Sequence, residues 1–218
     1  MKRYTIILAT LFLITFSSCR KRTETVYVIN YQYITEQSVK NAILHETFGI
    51  NRQIEHSSMI VNQELSDSQE NYNGEMINNY TWAFGWHEYT MNFDVIKPDS
   101  NLHYTATANG RYETILMTSD DIISNEWILN SINQDSDIYT INGSSERTGS
   151  QYSKEFNDGF TSDITLNIEN IEVNRHTAAI KTGTIKFTFT GISSYGNSFS
   201  SSGTISYNDY YMSIEYNS

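Results

Sequence analysis

Acid–base, nucleophilic or metal chemistry needs particular side chains at particular spacings, and few are available here. Cys19 is the only cysteine, so an intramolecular disulfide and zinc sites of the paired-cysteine kind are excluded. The five histidines, His45, His56, His87, His103 and His176, show neither His-x-x-x-His nor His-Glu-x-x-His spacing. Zinc would need ligands gathered from distant strands, and only His87 and His103 lie in neighbouring strand regions where they could meet. Asn133, Asp135 and Asp137 alternate like the opening of a calcium loop. Ile138 stands at its glycine place, however, and Ser144 at its closing glutamate, so an ordinary acidic loop is expected. There is no Gly-x-Ser-x-Gly elbow and no glycine-rich phosphate loop. The 25 acidic residues make carboxylate pairs at glycosidase separation inevitable by chance, so their number carries no argument. The expectation is a protein without metal or cofactor and not an enzyme. An envelope hydrolase working through paired carboxylates on strand ends is the alternative.

A second kind of chemistry is binding through aromatic rings. Tyr80, Trp82, Phe84 and Trp86 alternate along one strand face, opposite Thr81, Ala83, Gly85 and His87. Such a stripe suits stacking on sugar rings or lining a hydrophobic cavity, and it equally suits a core. Trp82, Trp86 and His87 are the candidate binding residues.

The amino terminus directs the chain. Lys2 and Arg3 precede the apolar run Ile6 to Ile14, and the small pair Ser17-Ser18 precedes Cys19, the three parts of a secretory signal. The apolar stretch from Tyr4 to Phe16 is 13 residues, short of the ~20 that a spanning helix needs. Phe16-Ser17-Ser18-Cys19 resembles the lipobox of bacterial lipoproteins, although Phe16 replaces the more usual leucine. The resemblance implies cleavage before Cys19, lipid on its sulfur and new amino terminus, and, with a non-aspartate Arg20 next, export to the outer membrane of a Gram-negative cell. A lipidated Cys19 also leaves no thiol for catalysis. The other reading of these residues is cleavage after Ser17, which leaves a secreted protein with an incidental thiol.

Removing Lys2, Arg3, Arg20, Lys21 and Arg22 from the 14 basic residues leaves 9 bases against 25 acids in residues 23–218, a net charge of −16. Such a body repels phosphate backbones, so nucleic-acid binding is disfavoured. Arg20, Lys21 and Arg22 form a basic collar beside the anchor, suited to anionic headgroups or serving as simple linker charge.

The elements that must position these residues are mainly strands. Apolar residues at 39%, with aromatics at 13%, suffice for one packed domain. Residues 19–73 read as a lipid-anchored segment and linker. Alternating Tyr27, Ile29, Tyr31 and Tyr33 lead into a short helix capped by Thr35, with Val39, Ile43 and Leu44 on one face and Gly49 as its stop. Asn62 to Asn73 reads as a spacer. From residue 74 to 218 period-two alternation dominates. It changes phase near His87-Glu88, which predicts a bulge or turn there. Asn109-Gly110 predicts a two-residue hairpin before Tyr112, and Asp120 to Asn133 reads as strand in preference to helix. Ile164-Leu166-Ile168, Ile185-Phe187-Phe189, Ile205-Tyr207 and Met212-Ile214-Tyr216 continue the pattern, with Asn208-Asp209 closing the last hairpin.

Nine or ten antiparallel strands joined by short turns predict an all-β meander, closing as a lipocalin-like barrel or folding as a β-sandwich. A transmembrane barrel is disfavoured by strands mostly shorter than the required 9–11 residues. The functional expectation is a lipid-anchored cell-envelope protein, bound to the membrane through Cys19. Its β domain would bind a glycan, a small hydrophobic molecule or an envelope protein, or serve as a structural or adhesin subunit.

Overall fold

The computed structural model describes residues 29–64, 71–97, 101–132, 136–209 and 211–217. The leader, Cys19, the basic collar, Asn133 and Asp135 lie outside the described residues. Nine strands follow in chain order: β1 (Asn71–Trp82), β2 (Gly85–Ile96), β3 (Leu102–Thr114), β4 (Met117–Asn130), β5 (Ile138–Ser153), β6 (Asp158–Asn174), β7 (Ile180–Ser193), β8 (Ser198–Asn208) and β9 (Tyr211–Tyr216). Each pairs antiparallel with the next in one sheet of order β1 to β9. The all-β meander is therefore observed. The sheet is open, since β1 and β9 are its two edges.

Alternation gives this sheet a buried, largely apolar face and an exposed, mainly polar one. On β2, Tyr89, Met91, Phe93 and Val95 are buried while Glu88, Asn92 and Asp94 are exposed. β4 and β6 repeat the pattern around Ile123, Trp127 and Leu129 and around Ile164, Leu166 and Ile168. The buried face is covered by two helices that precede the sheet, α1 (Tyr31–Ile43) and α2 (Ile50–Glu64), joined through a 3₁₀ turn at His45–Thr47. The Asn30 side chain caps α1 by accepting from the Tyr33 N–H at 3.1 Å. Leu44 turns extended to end it, and Phe48 takes a left-handed conformation before α2 starts. Ile50, Ile54, Ser57 and Val61, spaced at helical period, bury one face of α2.

Contacts fix how the helices lie. Along α1, Tyr31 stacks on Phe199 at 4.7 Å, Tyr33 meets Phe156 at 5.9 Å and Asn41 donates to the Tyr112 hydroxyl, and just past its end Leu44 lines one groove with Phe84. The helix thus crosses the end of the sheet where the β1–β2, β3–β4, β5–β6 and β7–β8 turns lie. α2 runs along the inner face. His56 packs edge-on against Phe93, Ser57 and Ser58 hydrogen-bond the Tyr139 hydroxyl, and Asn62 donates to the Arg175 carbonyl near the other end. The interior is filled by these helices.

Several expectations are corrected. The predicted helix begins at Tyr31, so Tyr31 and Tyr33 are helical, and Thr35 is buried within α1 and not its cap. The second helix, α2, is not marked by an unbroken apolar period in the sequence, and residues 62–64 of the predicted spacer are its last turn. Asn109-Gly110 is not a turn: both lie inside β3, and the chain reverses at Ile115-Leu116. A Cβ at Gly110 would stand 2.2 Å from the Glu88 carbonyl oxygen and 2.5 Å from the Tyr89 ring. The glycine is there for the close approach of β2. Strands β1 to β8 run 11 to 17 residues, so length does not set this sheet apart from a membrane barrel. Its outer face does: Ile77, Ile96, Ile122, Ile128 and Ile192 are exposed there, but they are scattered among exposed Asp94, Thr107, Glu126, Asp163 and Lys186, where a lipid-facing barrel carries a continuous apolar band.

Candidate functional site

The candidate residues depend on the β1–β2 hairpin. Its turn is Ala83-Phe84, not His87-Glu88, and its register pairs Trp82 with Gly85, Thr81 with Trp86 and Tyr80 with His87. Directly opposed residues share a face. Tyr80, Trp82 and His87 therefore belong to the inner side and Trp86 to the outer side. The single aromatic face expected from alternation does not exist, because the chain reverses in its middle.

His87 is 2% exposed. With the Asn78 amide turned so that its nitrogen donates to His87 Nε2, its oxygen accepts from Arg52 Nη2 at 2.9 Å and Nε at 3.1 Å. The other ring nitrogen, Nδ1, then donates to the Glu46 carbonyl. Burial pushes the His87 pKa down, the Glu46 carbonyl opposes this, and the Arg52 charge adds to the fall. A neutral imidazole tying the 3₁₀ turn to β1 is structural, which removes His87 from the binding candidates. His103 pairs with Ile96, nine residues beyond His87 in β2, so the two do not meet.

Trp82 is half-buried at the turn end of the inner side. It lines a groove of about 460 Å³ with Leu44, Phe84, Ile115 and Leu116. Trp86 stands on the outer face in a row that runs Thr81, Trp86, Glu113, Thr118 and Tyr152 across β1 to β5. The next row holds Glu88, Arg111, Asp120 and Ser150. The indole N–H donates to Glu113 at 3.2 Å, and the Arg111 guanidinium lies over the ring at 5.4 Å. Lys154 Nζ pairs with Glu113 at 2.6 Å and Arg111 with Glu88 at 2.6 Å. The Lys154 charge and the indole N–H hold the Glu113 carboxyl below its usual range. Trp86 and Tyr152 edge a cleft of about 360 Å³ lined between them by Arg111, Glu113, Thr118, Asp120 and Ser150.

The most densely bonded polar cluster among the described residues lies apart from the candidate residues read from the sequence. Arg147 on β5 and Asp121 on β4 form an ion pair under the helices, their side chains 5% and 0% exposed. Arg147 Nε donates to Asp121 at 2.7 Å, and Nη1 and Nη2 donate to the carbonyls of Asn41 and Thr47 at 3.2 and 3.3 Å. Tyr89 donates to Asp121 at 3.0 Å, and Ser119 and Gln151 satisfy its other oxygen. Burial alone would lower the guanidinium pKa, but Asp121, with Tyr89 and Tyr112, raises it. This network joins helix to sheet. Its signal in the sequence is a pair of opposite charges at positions in phase with the apolar inner face.

Among the described residues no group of three or more His, Cys, Asp or Glu is placed to hold a metal. Asp137 pairs with His176 at 3.1 Å, and Ile138 and Ser144 lie within β5, so the closing position of the calcium spacing falls in a strand. No family model matches this chain, and no curated protein or solved structure matches it significantly.

Proposed function

We propose that this is a lipid-anchored, non-catalytic envelope protein that binds a polar partner, a glycan or a protein surface, on the outer face of its sheet. The anchor reading rests on the signal segment and the lipobox-like Phe16-Ser17-Ser18-Cys19. The binding reading rests on one observation: the inner face is occupied by α1 and α2, while Trp86 and Tyr152 stand outside beside Arg111, Asp120 and Ser150. An aromatic plate with adjacent donors and acceptors is the arrangement that takes sugar rings or polar protein side chains. A carrier of a small hydrophobic molecule would need an enclosed space in place of the helices.

The test is a titration of tryptophan emission with soluble peptidoglycan fragments and outer-membrane oligosaccharides, in parallel with cross-linking to envelope proteins through a photoreactive group at Thr118. A saturable signal lost in Trp86→Ala is expected from one of these partners. No saturable binding and no Thr118 cross-link to any envelope component would overturn the reading.

A further inference from the structure

We propose that the end of the sheet carrying the β1–β2, β3–β4, β5–β6 and β7–β8 turns rests on the bilayer surface, inserting its apolar turn residues among the lipid headgroups. The proposal rests on the anchor reading above and adds an orientation to it. Three of these turns expose large apolar side chains: Phe84 is 64%, Ile115 60% and Tyr195 71% exposed. The groove beside Trp82 opens at the same end. Among the described residues, the turns of the opposite end carry His176, Thr177 and Asp209, and the large apolar side chains exposed there, Ile96, Ile128 and Tyr211, belong to strands.

The path of the chain selects lipid as the occupant. α1 starts at this end, where Asn197 of the β7–β8 turn donates to the Tyr31 hydroxyl at 3.0 Å. Ile29, the first described residue, packs on the core beside it. Cys19 precedes Ile29 by 10 residues, a reach of at most about 35 Å. The lipid is thus tethered to the end that displays the apolar turns. Aromatic and aliphatic side chains at such a boundary bury their apolar parts in the interface. The contact is with zwitterionic headgroups, since the body is acidic and Glu155 is exposed in the β5–β6 turn, while Glu113 at this end is paired with Lys154.

The test uses the full lipidated chain in vesicles of phosphatidylcholine and phosphatidylethanolamine. With Cys19 blocked by lipid, Phe84→Cys, Tyr195→Cys and Thr177→Cys each supply one thiol for an environment-sensitive fluorophore. Labels at 84 and 195 are expected to shift to the blue and to lose at least half their emission to spin-labelled lipid, while the label at 177 does neither. Equal water exposure of all three labels on vesicles that carry the protein would overturn the orientation and leave the anchor standing. Failure of the protein to float with the vesicles would overturn both. Shielding of the 84 label in the lipid-free Cys19→Ala body, with a doubled mass, would assign the patch to self-association and overturn the membrane contact.

Discussion

Arg147 and Asp121 show how a few side chains can decide a packing arrangement. A buried ion pair is costly to assemble, and removing one partner leaves the other charged and unsatisfied, at about 3–5 kcal/mol. Here the guanidinium also serves the Asn41 and Thr47 carbonyls, so its loss takes a donor from the Thr47 carbonyl in the 3₁₀ turn and leaves the Asn41 carbonyl with the Thr47 hydroxyl alone. Arg147→Met is predicted to lower unfolding stability by about 4 kcal/mol in urea melts. The double substitution Arg147→Met with Asp121→Leu should recover part of that loss. His56 supplies a pH dependence. Burial, helped by the Arg52 charge, pulls its pKa from 6.5 down to about 4. A folded value below the unfolded one means that the native state resists protonation. The stability is complete above about pH 6.5 and falls as pH drops through the window to about 4, by about 3 kcal/mol in all. His87 shifts in the same direction. Thermal melts across this window should slope less steeply for His56→Gln than for the natural chain, and parallel slopes would contradict this origin.

At the scale of elements, the sheet depends on its helices. Tyr89, Trp127, Tyr139 and Phe187 are each no more than 2% exposed, on a face that α1 and α2 help to cover. A chain beginning at residue 71 is therefore predicted to be insoluble or to lack a cooperative melt, whereas independent folding of the strands alone would contradict the packing described. This also explains what was legible. Strict alternation in β2, β6 and β7 gave those strands and their faces directly, because period two has no other structural use. α2 was hidden because its inward positions include Gln53, His56, Ser57 and Ser58, which read as spacer until their partners Asn125, Tyr104 and Tyr139 are in place. Asn109-Gly110 misled for a related reason. Local turn chemistry was overruled by a neighbouring strand that needed a residue without a Cβ. The candidate site was half legible: the aromatic residues were found, but Ala83-Phe84 as the turn was not, and that turn sends Trp82 and Trp86 to opposite faces.

For the whole molecule, filling and charge point the same way. A sheet whose inner side is packed with helix, and whose outer side is mainly polar within a body of net charge −16, is suited to meeting partners at its surface. The central claim is an anchored protein with a solid interior, and native mass spectrometry of the full protein, extracted in detergent from the envelope that makes it, tests it most directly. The predicted result is a chain that begins at Cys19, heavier by its attached acyl groups, with no small molecule retained in fixed proportion. A chain that is uncut or carries no lipid, or one that holds a stoichiometric small-molecule adduct, would contradict the account.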